Sequence, residues 1–222
     1  MKLYAAKTCR LQASEERNLR SLLDKDRRQK VSALKSGRER ERSIFAGLLL
    51  RYAFLQAGYD LETWQQVEIG KGAYGKPYIA GHQEFHYGLS HSGDWVVCAV
   101  DNMPVGVDLQ EIKPWKISLA KRFYHEEEYN RLLALGETDL DRQTQEFYRM
   151  WTAKESAVKL SGRGIGAGIS QYVTAKDYCS VFDQKQRCTI GIKQYSILEG
   201  YMICICSNTG NFPDQLEQIT LV

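Results

Sequence analysis

Phe147-Tyr-Arg-Met-Trp-Thr-Ala-Lys-Glu-Ser-Ala-Val-Lys-Leu160 is the stretch on which the reading of the chain turns. Wound at about 100° per residue, Phe147, Met150, Trp151, Ala153, Ala157, Val158 and Leu160 fall in one broad apolar arc, interrupted only by Lys154. The spacing predicts a helix that buries this face. The opposite side carries Tyr148, Thr152, Glu155 and Lys159, so a carboxylate and an ammonium point the same way one turn apart. Taken alone, that pair reads as an i,i+4 ion pair on a solvated face, worth about 0.3–0.5 kcal/mol.

Residues upstream give the pair a second reading. Val105-Gly-Val-Asp-Leu109 follows the turn Asp101-Asn-Met-Pro104 and reads as a short apolar strand holding one acid. A carboxylate among Val and Leu needs a cation, a hydrogen-bond donor or a metal. Asp108 and Glu155 together would supply two hard oxygen ligands, a set with which Mg²⁺ keeps waters and draws its other ligands from substrate phosphates. Lys159 would face the same phosphates.

Gly106-Val-Asp108 followed by Trp151-Thr-Ala-Lys-Glu-Ser-Ala-Val-Lys159 resembles the paired signature (V/I)G(I/V)D and (F/W)xxKExxxK of the Sfp-type 4′-phosphopantetheinyl transferases. Tyr74-Gly-Lys-Pro77 and Leu89-Ser-His-Ser-Gly-Asp-Trp-Val-Val-Cys-Ala99 resemble two further blocks of that family, in the expected order. The resemblance runs from the N-terminal arginines to about Gly168. It implies an α/β (α+β) fold built as a pseudo-dimer of two similar halves, each a mainly antiparallel sheet with packed helices, with the active site at their interface. The halves are expected at 1–104, with the coenzyme A-binding residues, and 105–222, with the Mg-binding and catalytic residues.

Composition sets the outer bounds. A chain of 222 residues, 43% apolar and 26% charged, is long enough for a substantial core and reads as globular. No apolar run approaches the ~20 residues needed to span a bilayer, and Met-Lys-Leu-Tyr-Ala-Ala-Lys lacks the apolar centre of a signal peptide, so a cytoplasmic monomer away from membranes is expected. The six cysteines form no CxxC pair and no zinc spacing, and are expected reduced and mostly buried. A formal charge of +3 is too small to point to nucleic acid, though it suits an acidic partner or a polyanionic ligand.

Ser14 to Tyr59 reads as helical and becomes strongly basic at Arg27, Arg28, Lys30, Lys35, Arg38, Arg40 and Arg42. With Glu39 and Glu41 interspersed, this is either a solvated, salt-bridged face or a clamp for a nucleotide phosphate ahead of the apolar run Ile44 to Leu55. By resemblance, Arg27, Lys30, Arg42 and Ser43 would hold the 3′-phosphate of coenzyme A. Gly70-Lys-Gly-Ala-Tyr-Gly-Lys-Pro77 is no Walker loop, since Pro77 stands where Ser or Thr should follow the lysine. Lys76 is either a solvated turn lysine or, by resemblance, a coenzyme contact. Glu84 to Leu89, Ser90 to Asp94 and Trp95 to Val100 read as strand, turn and strand. Resemblance places Ser90 and His91 at the pyrophosphate.

Between the signature blocks, the segment from Ile117 to Ala134 resembles the family's carrier-protein docking region. Leu119, Phe123 and Tyr124 beside Lys121 and Arg122 would suit a small acidic helical partner, with core packing of Phe123 as the other reading. Gly162-Arg-Gly-Ile-Gly-Ala-Gly168 follows a helix instead of opening one, so it reads as a flexible connector. The last fifty or so residues alternate as strands. There, Gly200-Tyr-Met-Ile-Cys-Ile-Cys206 echoes Asp94-Trp-Val-Val-Cys-Ala-Val100, a trace of duplication.

The resemblance implies transfer of the 4′-phosphopantetheine arm of coenzyme A to a serine of an acyl or peptidyl carrier protein. Asp108 and Glu155 would hold Mg²⁺, Lys159, Lys76 and His91 would neutralise the diphosphate, and Glu155 would take the serine proton. Lys154 would position the helix or a phosphate. Many bacterial members carry a Glu two residues after the signature Asp; here Gln110 stands there, leaving a two-carboxylate site with an extra water or an amide oxygen as ligand. Alternation along the strand turns Glu111 away from Asp108. Another Mg-dependent nucleotide transferase and a non-catalytic binding module are the rival readings.

Overall fold

The computed structural model describes all residues except 137 and 165–167. The chain opens with β1 (Lys2–Lys7), followed by α1 (Ala13–Ser21), α2 (Lys25–Ala33), α3 (Gly37–Gln56) and the short α4 (Leu61–Gln65). A small hairpin of β2 (Ile69–Lys71) and β3 (Pro77–Ile79) precedes the longer hairpin of β4 (His86–Ser92) and β5 (Trp95–Asp101). The second half runs β6 (Val105–Glu111), α5 (Ile117–Phe123), α6 (Glu126–Gly136) and α7 (Leu140–Ser161). A 3₁₀ turn, Ile169–Gln171, then leads to β7 (Tyr172–Thr174), β8 (Ser180–Asp183), β9 (Cys188–Tyr195), β10 (Tyr201–Ser207) and β11 (Glu217–Gln218).

Beside the β2-β3 pair, the described residues form two larger sheets, ordered β11-β1-β5-β4 and β6-β10-β9-β8-β7. Every pairing within them is antiparallel except β1 with β11. Alternation along the strands assigns each side chain to a layer. Val96, Cys98 and Tyr4 meet Phe45, Leu49 and Phe54 of α3 on the outer face of the first sheet. Val97, Ala99 and Leu3 meet Val107, Leu109, Ile203 and Ile205 between the sheets. Cys204, Cys206, Ile190 and Ile192 meet Ala153, Ala157 and Leu160 of α7 on the outer face of the second. The order of layers is therefore helix, sheet, sheet, helix.

The echo between the two halves has a structural meaning. Val96 and Cys98 of β5 face α3, while Cys204 and Cys206 of β10 face α7; Val97 and Ala99, like Ile203 and Ile205, fill the central layer. The longest helices each lie on one outer face. α3 is buried on two sides, because Ile44 and Leu48 also pack on Leu23 and Val31 of the preceding segment, which is why its sequence is apolar nearly all round.

Three expectations change. The turn expected at Ser90–Asp94 contracts to Gly93–Asp94, with Ser92 already paired to Trp95; Gly93 takes φ 55° at the first loop position, the conformation a two-residue hairpin of type II′ needs. Burial of the cysteines holds for Cys98, Cys204 and Cys206, whereas Cys9, Cys179 and Cys188 are exposed. The final strand, numbered in the 105–222 half, pairs with β1 of the first sheet, and Ile219 and Leu221 pack on the first half's core. The expected connector 162–168 has Gly162 and Gly164 in the left-handed region, at φ 69° and 72°; its residues 165–167 lie outside the described residues. Among the described residues, no helix is long and apolar enough to cross a membrane.

Candidate active site

β6 and α7 touch at Gly106. A Cβ there would collide with the Ser156 carbonyl oxygen and sit 2.7 Å from the Leu160 nitrogen, so only glycine lets helix and strand backbones come this close. Asp108, two residues further along the same strand face, is thereby brought beneath the polar stripe of α7. It is 1% exposed, and both oxygens are engaged. Oδ1 accepts from Ser90 Oγ at 2.9 Å and from Lys159 Nζ at 2.6 Å; Oδ2 accepts from Gln110 Nε2 at 3.1 Å. Lys159 also donates to Ser90 Oγ at 2.9 Å. Glu111, as alternation requires, points elsewhere and pairs with Lys113 at 2.6 Å.

Glu155 lies one turn before Lys159 and is 6% exposed. Burial, reinforced by the negative charge of Asp108 and opposed by Lys159, pushes its carboxyl up to about 7. Two acids from distant parts of the chain thus share one poorly solvated region, with the Lys159 ammonium paired to Asp108. That donor set fits a divalent cation, which would relieve their repulsion. Among the described residues no group of three His, Cys, Asp or Glu side chains that could hold a metal ion is present.

A cleft of about 390 Å³ opens beside this pair. Its floor is β4, the edge strand of the first sheet; α7 contributes Glu155 and Lys159 from one side, and α2 contributes Arg27 and Lys30 from the other. Gly47 makes that second wall possible: a Cβ on it would lie 3.0 Å from Arg27 Cγ, so its absence lets the arginine stem lie across α3. Lys30 follows Arg27 by three residues and shares its face. Alternation sends Ser90 towards Asp108 and His91 into the cleft. Enclosure by the cleft walls, then the charges of Arg42, Lys159, Lys30 and Arg27, hold the His91 imidazole below its ordinary range.

Lys76 borders the same cleft, but its ammonium donates to the carbonyls of Val105 at 3.1 Å and Leu160 at 3.0 Å. It caps the last turn of α7 and joins the two halves, a second role beside any ligand contact. Arg42 donates through Nε to the Gly93 carbonyl at 2.9 Å, while the Ser43 hydroxyl is buried without a partner. Neither borders the cleft that gathers Arg27 and Lys30.

Two expected contacts are corrected. Lys154 is 0% exposed, forms an ion pair of 2.6 Å with Glu128 and donates to the Tyr172 carbonyl. Glu128 in turn accepts the backbone amides of His125 and Thr174. Lys154 therefore ties α6 to α7 and β7, the helix-positioning alternative of the sequence reading, and its ammonium lies in the core away from the cleft. Tyr124 is 6% exposed, lies in the core with Phe147 and Met150, and donates its hydroxyl to the Phe147 carbonyl at 2.7 Å, so it cannot meet a docking partner. Leu119 is 39% exposed; Phe123 is half-buried, edge-on to Trp151 with Arg122 over its ring. One cleft residue escaped the sequence reading: Tyr87, whose i, i+2, i+4 spacing with Leu89 and His91 on β4 was the available signal.

Comparison with known proteins finds relatives along nearly the whole chain. Residues 104–206 match the family described as the 4′-phosphopantetheinyl transferase superfamily, and 12–103 match the family described as 4′-phosphopantetheinyl transferase, N-terminal. A 4′-phosphopantetheinyl transferase of Bacillus subtilis is 34% identical over 226 residues, covering 99% of this chain and 98% of the relative. The 4′-phosphopantetheinyl transferase Sfp of Bacillus subtilis strain 168 is 29% identical over 99% of this chain and 98% of its own. The 4′-phosphopantetheinyl transferase psf-1 of Bacillus pumilus is 30% identical over 99% and 95%. With relatives of this similarity aligned along nearly all of it, the chain belongs to the 4′-phosphopantetheinyl transferase family.

Proposed function

We propose that this protein transfers the 4′-phosphopantetheine group of coenzyme A to a serine hydroxyl of an apo acyl or peptidyl carrier protein, releasing adenosine 3′,5′-bisphosphate. The observation that carries the reading is the convergence of Arg27, Lys30, Lys76, His91, Glu155 and Lys159 on one cleft, beside the buried Asp108. These residues are contributed by both halves of the chain, so the active site is assigned to the junction between them.

Asp108 and Glu155, with a water or the Gln110 amide oxygen, are the residues that would hold Mg²⁺. The ion would neutralise the diphosphate and stabilise charge on the leaving phosphate. Lys159 and His91 face the same charge from the protein side, and Arg27 and Lys30 hold the nucleotide end. The serine oxygen forms the new bond to the phosphorus of the pantetheine phosphate as the bond from that phosphorus to the bridging oxygen breaks. Glu155 takes the serine proton directly or through water. Leu119 and the edge of Phe123, flanked by Lys121 and Arg122, serve as the docking face for an acidic carrier helix. We read the protein as a cytoplasmic monomer.

Mass spectrometry of several apo carrier proteins incubated with the protein, coenzyme A and Mg²⁺ tests this directly. One carrier serine is expected to gain the mass of phosphopantetheine. Binding of coenzyme A with no gain on any carrier would favour the non-catalytic module instead.

A further inference from the structure

The first residues after α7 do more than connect. Gly162 and Gly164 both border the cleft, beside Lys76 and Lys159, and both take left-handed backbone. Gly162 closes the helix, its amide donating to the Val158 carbonyl at 3.1 Å. Arg163, between them, does not border the cleft. Only 7% of its side chain is exposed, and it pairs with Asp183 at the end of β8, whose side chain is 2% exposed.

Several groups hold that arginine. Nη2 donates to Asp183 Oδ2 and, at 2.6 Å, to the Tyr172 hydroxyl. The Tyr172 hydroxyl donates to Ser161 Oγ at 2.9 Å, and the same oxygen accepts the backbone amide of Arg163 at 3.3 Å. Asp183 Oδ1 accepts the amides of Lys185 and Gln186, each at 3.0 Å. The guanidinium is thereby tied to the last residue of α7, to the start of β7 and to the turn between β8 and β9. Neither Tyr172 nor Asp183 borders the cleft.

Glycine loses more conformational freedom on ordering than any other residue. A cleft wall built on Gly162 and Gly164 therefore keeps its shape only if something outside it holds the backbone. From the first half, Lys76 donates to the Leu160 carbonyl at 3.0 Å, and a Cβ on Gly162 would lie 3.1 Å from Lys76 Cβ. From the second half, the holding group is Arg163.

We propose that Arg163 is a positioning residue: its buried pair with Asp183 keeps the backbone of Gly162 to Gly164 as a preformed rim of the cleft, so that the coenzyme meets an ordered wall and does not have to order one on binding. The inference rests on the transfer reading given above for the identity of the ligand.

Steady-state kinetics with coenzyme A as the varied substrate, melting temperatures and amide hydrogen exchange together separate this role from plain stability. Arg163→Met should lower the melting temperature, because Asp183 stays buried without its cation, and should raise KM for coenzyme A about tenfold, the cost of ordering roughly one backbone residue on binding. Its kcat should stay within about twofold of the parent's, since Asp108, Glu155 and Lys159 are untouched. Adding Asp183→Asn removes the stranded charge and leaves an oxygen for the two amides. This double variant should regain most of the melting temperature yet keep the raised KM, with the amides of residues 162–164 exchanging about tenfold faster than in the parent. Arg163→Lys, which restores a cation, should bring KM back towards the parental value. A double variant whose KM recovers along with its melting temperature, or whose rim amides exchange as the parent's do, overturns the proposal, as does a loss confined to kcat. A parent protein that modifies no carrier would overturn the transfer reading instead, and exchange at the rim then decides on the anchor by itself.

Discussion

Lys159 holds its ammonium nitrogen 2.6 Å from Asp108 Oδ1, yet the partners are unequally placed: 33% of the lysine side chain is exposed against 2% of the aspartate's. Removing the lysine leaves a buried carboxylate with only Ser90 and Gln110 as donors, whereas removing the carboxylate leaves an ammonium that can turn to water. Lys159→Met should therefore cost about 1–3 kcal/mol of stability and Asp108→Asn less than about 1 kcal/mol. Urea unfolding reads the difference, and equal costs would contradict it. Both variants should lose carrier modification.

Glu155 gives the pH dependence. Its folded carboxyl is raised from 4.5 to about 7, so between those values the folded protein binds a proton that the unfolded chain has released. Stability of the metal-free protein should then be fullest below pH 4.5 as far as this group is concerned, and should fall as pH rises to about 7, by on the order of 2–3 kcal/mol. Glu155→Gln should remove the slope. Added Mg²⁺ should flatten it in the parent, and denaturation curves at stepped pH with and without the ion measure both effects.

Gly106→Ala tests the contact that positions the site. The added methyl meets the backbone of α7 and not a yielding side chain, so a loss of about 1–3 kcal/mol or more is expected, together with impaired transfer because Glu155 and Lys159 ride on the displaced helix. A variant with parental stability and activity would show that the helix can move without consequence.

Breaking the Lys154–Glu128 pair from one side should destabilise by about 3–5 kcal/mol, since either change strands a buried charge. The double variant Lys154→Met with Glu128→Leu should recover much of that loss. If Lys154 has no coenzyme contact, the double variant binds coenzyme A with parental affinity.

Gln110→Glu places a third carboxylate beside Asp108. Half-maximal transfer should then need less Mg²⁺, because ligand charge sets affinity for hard cations. An unchanged requirement would put residue 110 outside the ligand set.

Legibility in the sequence followed the range of the interactions. The helix at Phe147–Leu160, its Glu155–Lys159 stripe and the strands of both sheets were readable because periodicity is local. Asp108 was readable because an acid in an apolar strand demands a partner. The fate of Lys154 was not, since its partner Glu128 sits on another helix and looks, in sequence, like one more acid in Glu126-Glu-Glu128. Tyr124 was misread for a similar reason: an aromatic beside basic residues suits a docking face and a core equally, and only the packing of Phe147 decides. Lys76 carried no sign of the helix end it caps, and Glu217 and Gln218 gave no hint of pairing with Tyr4 and Ala5 at the other end of the sequence.

That last pairing bears on synthesis. β1 is made long before the strand that covers its outer edge, Glu217 and Gln218, and Ile219 and Leu221 are still needed against the same half's core. The amino-terminal half thus waits, with one strand edge bare, until nearly all of the described chain has been translated. Closing that edge is a late, long-range step of folding, and a nascent chain stalled short of that strand would be a target for chaperones and proteases before it could meet its coenzyme.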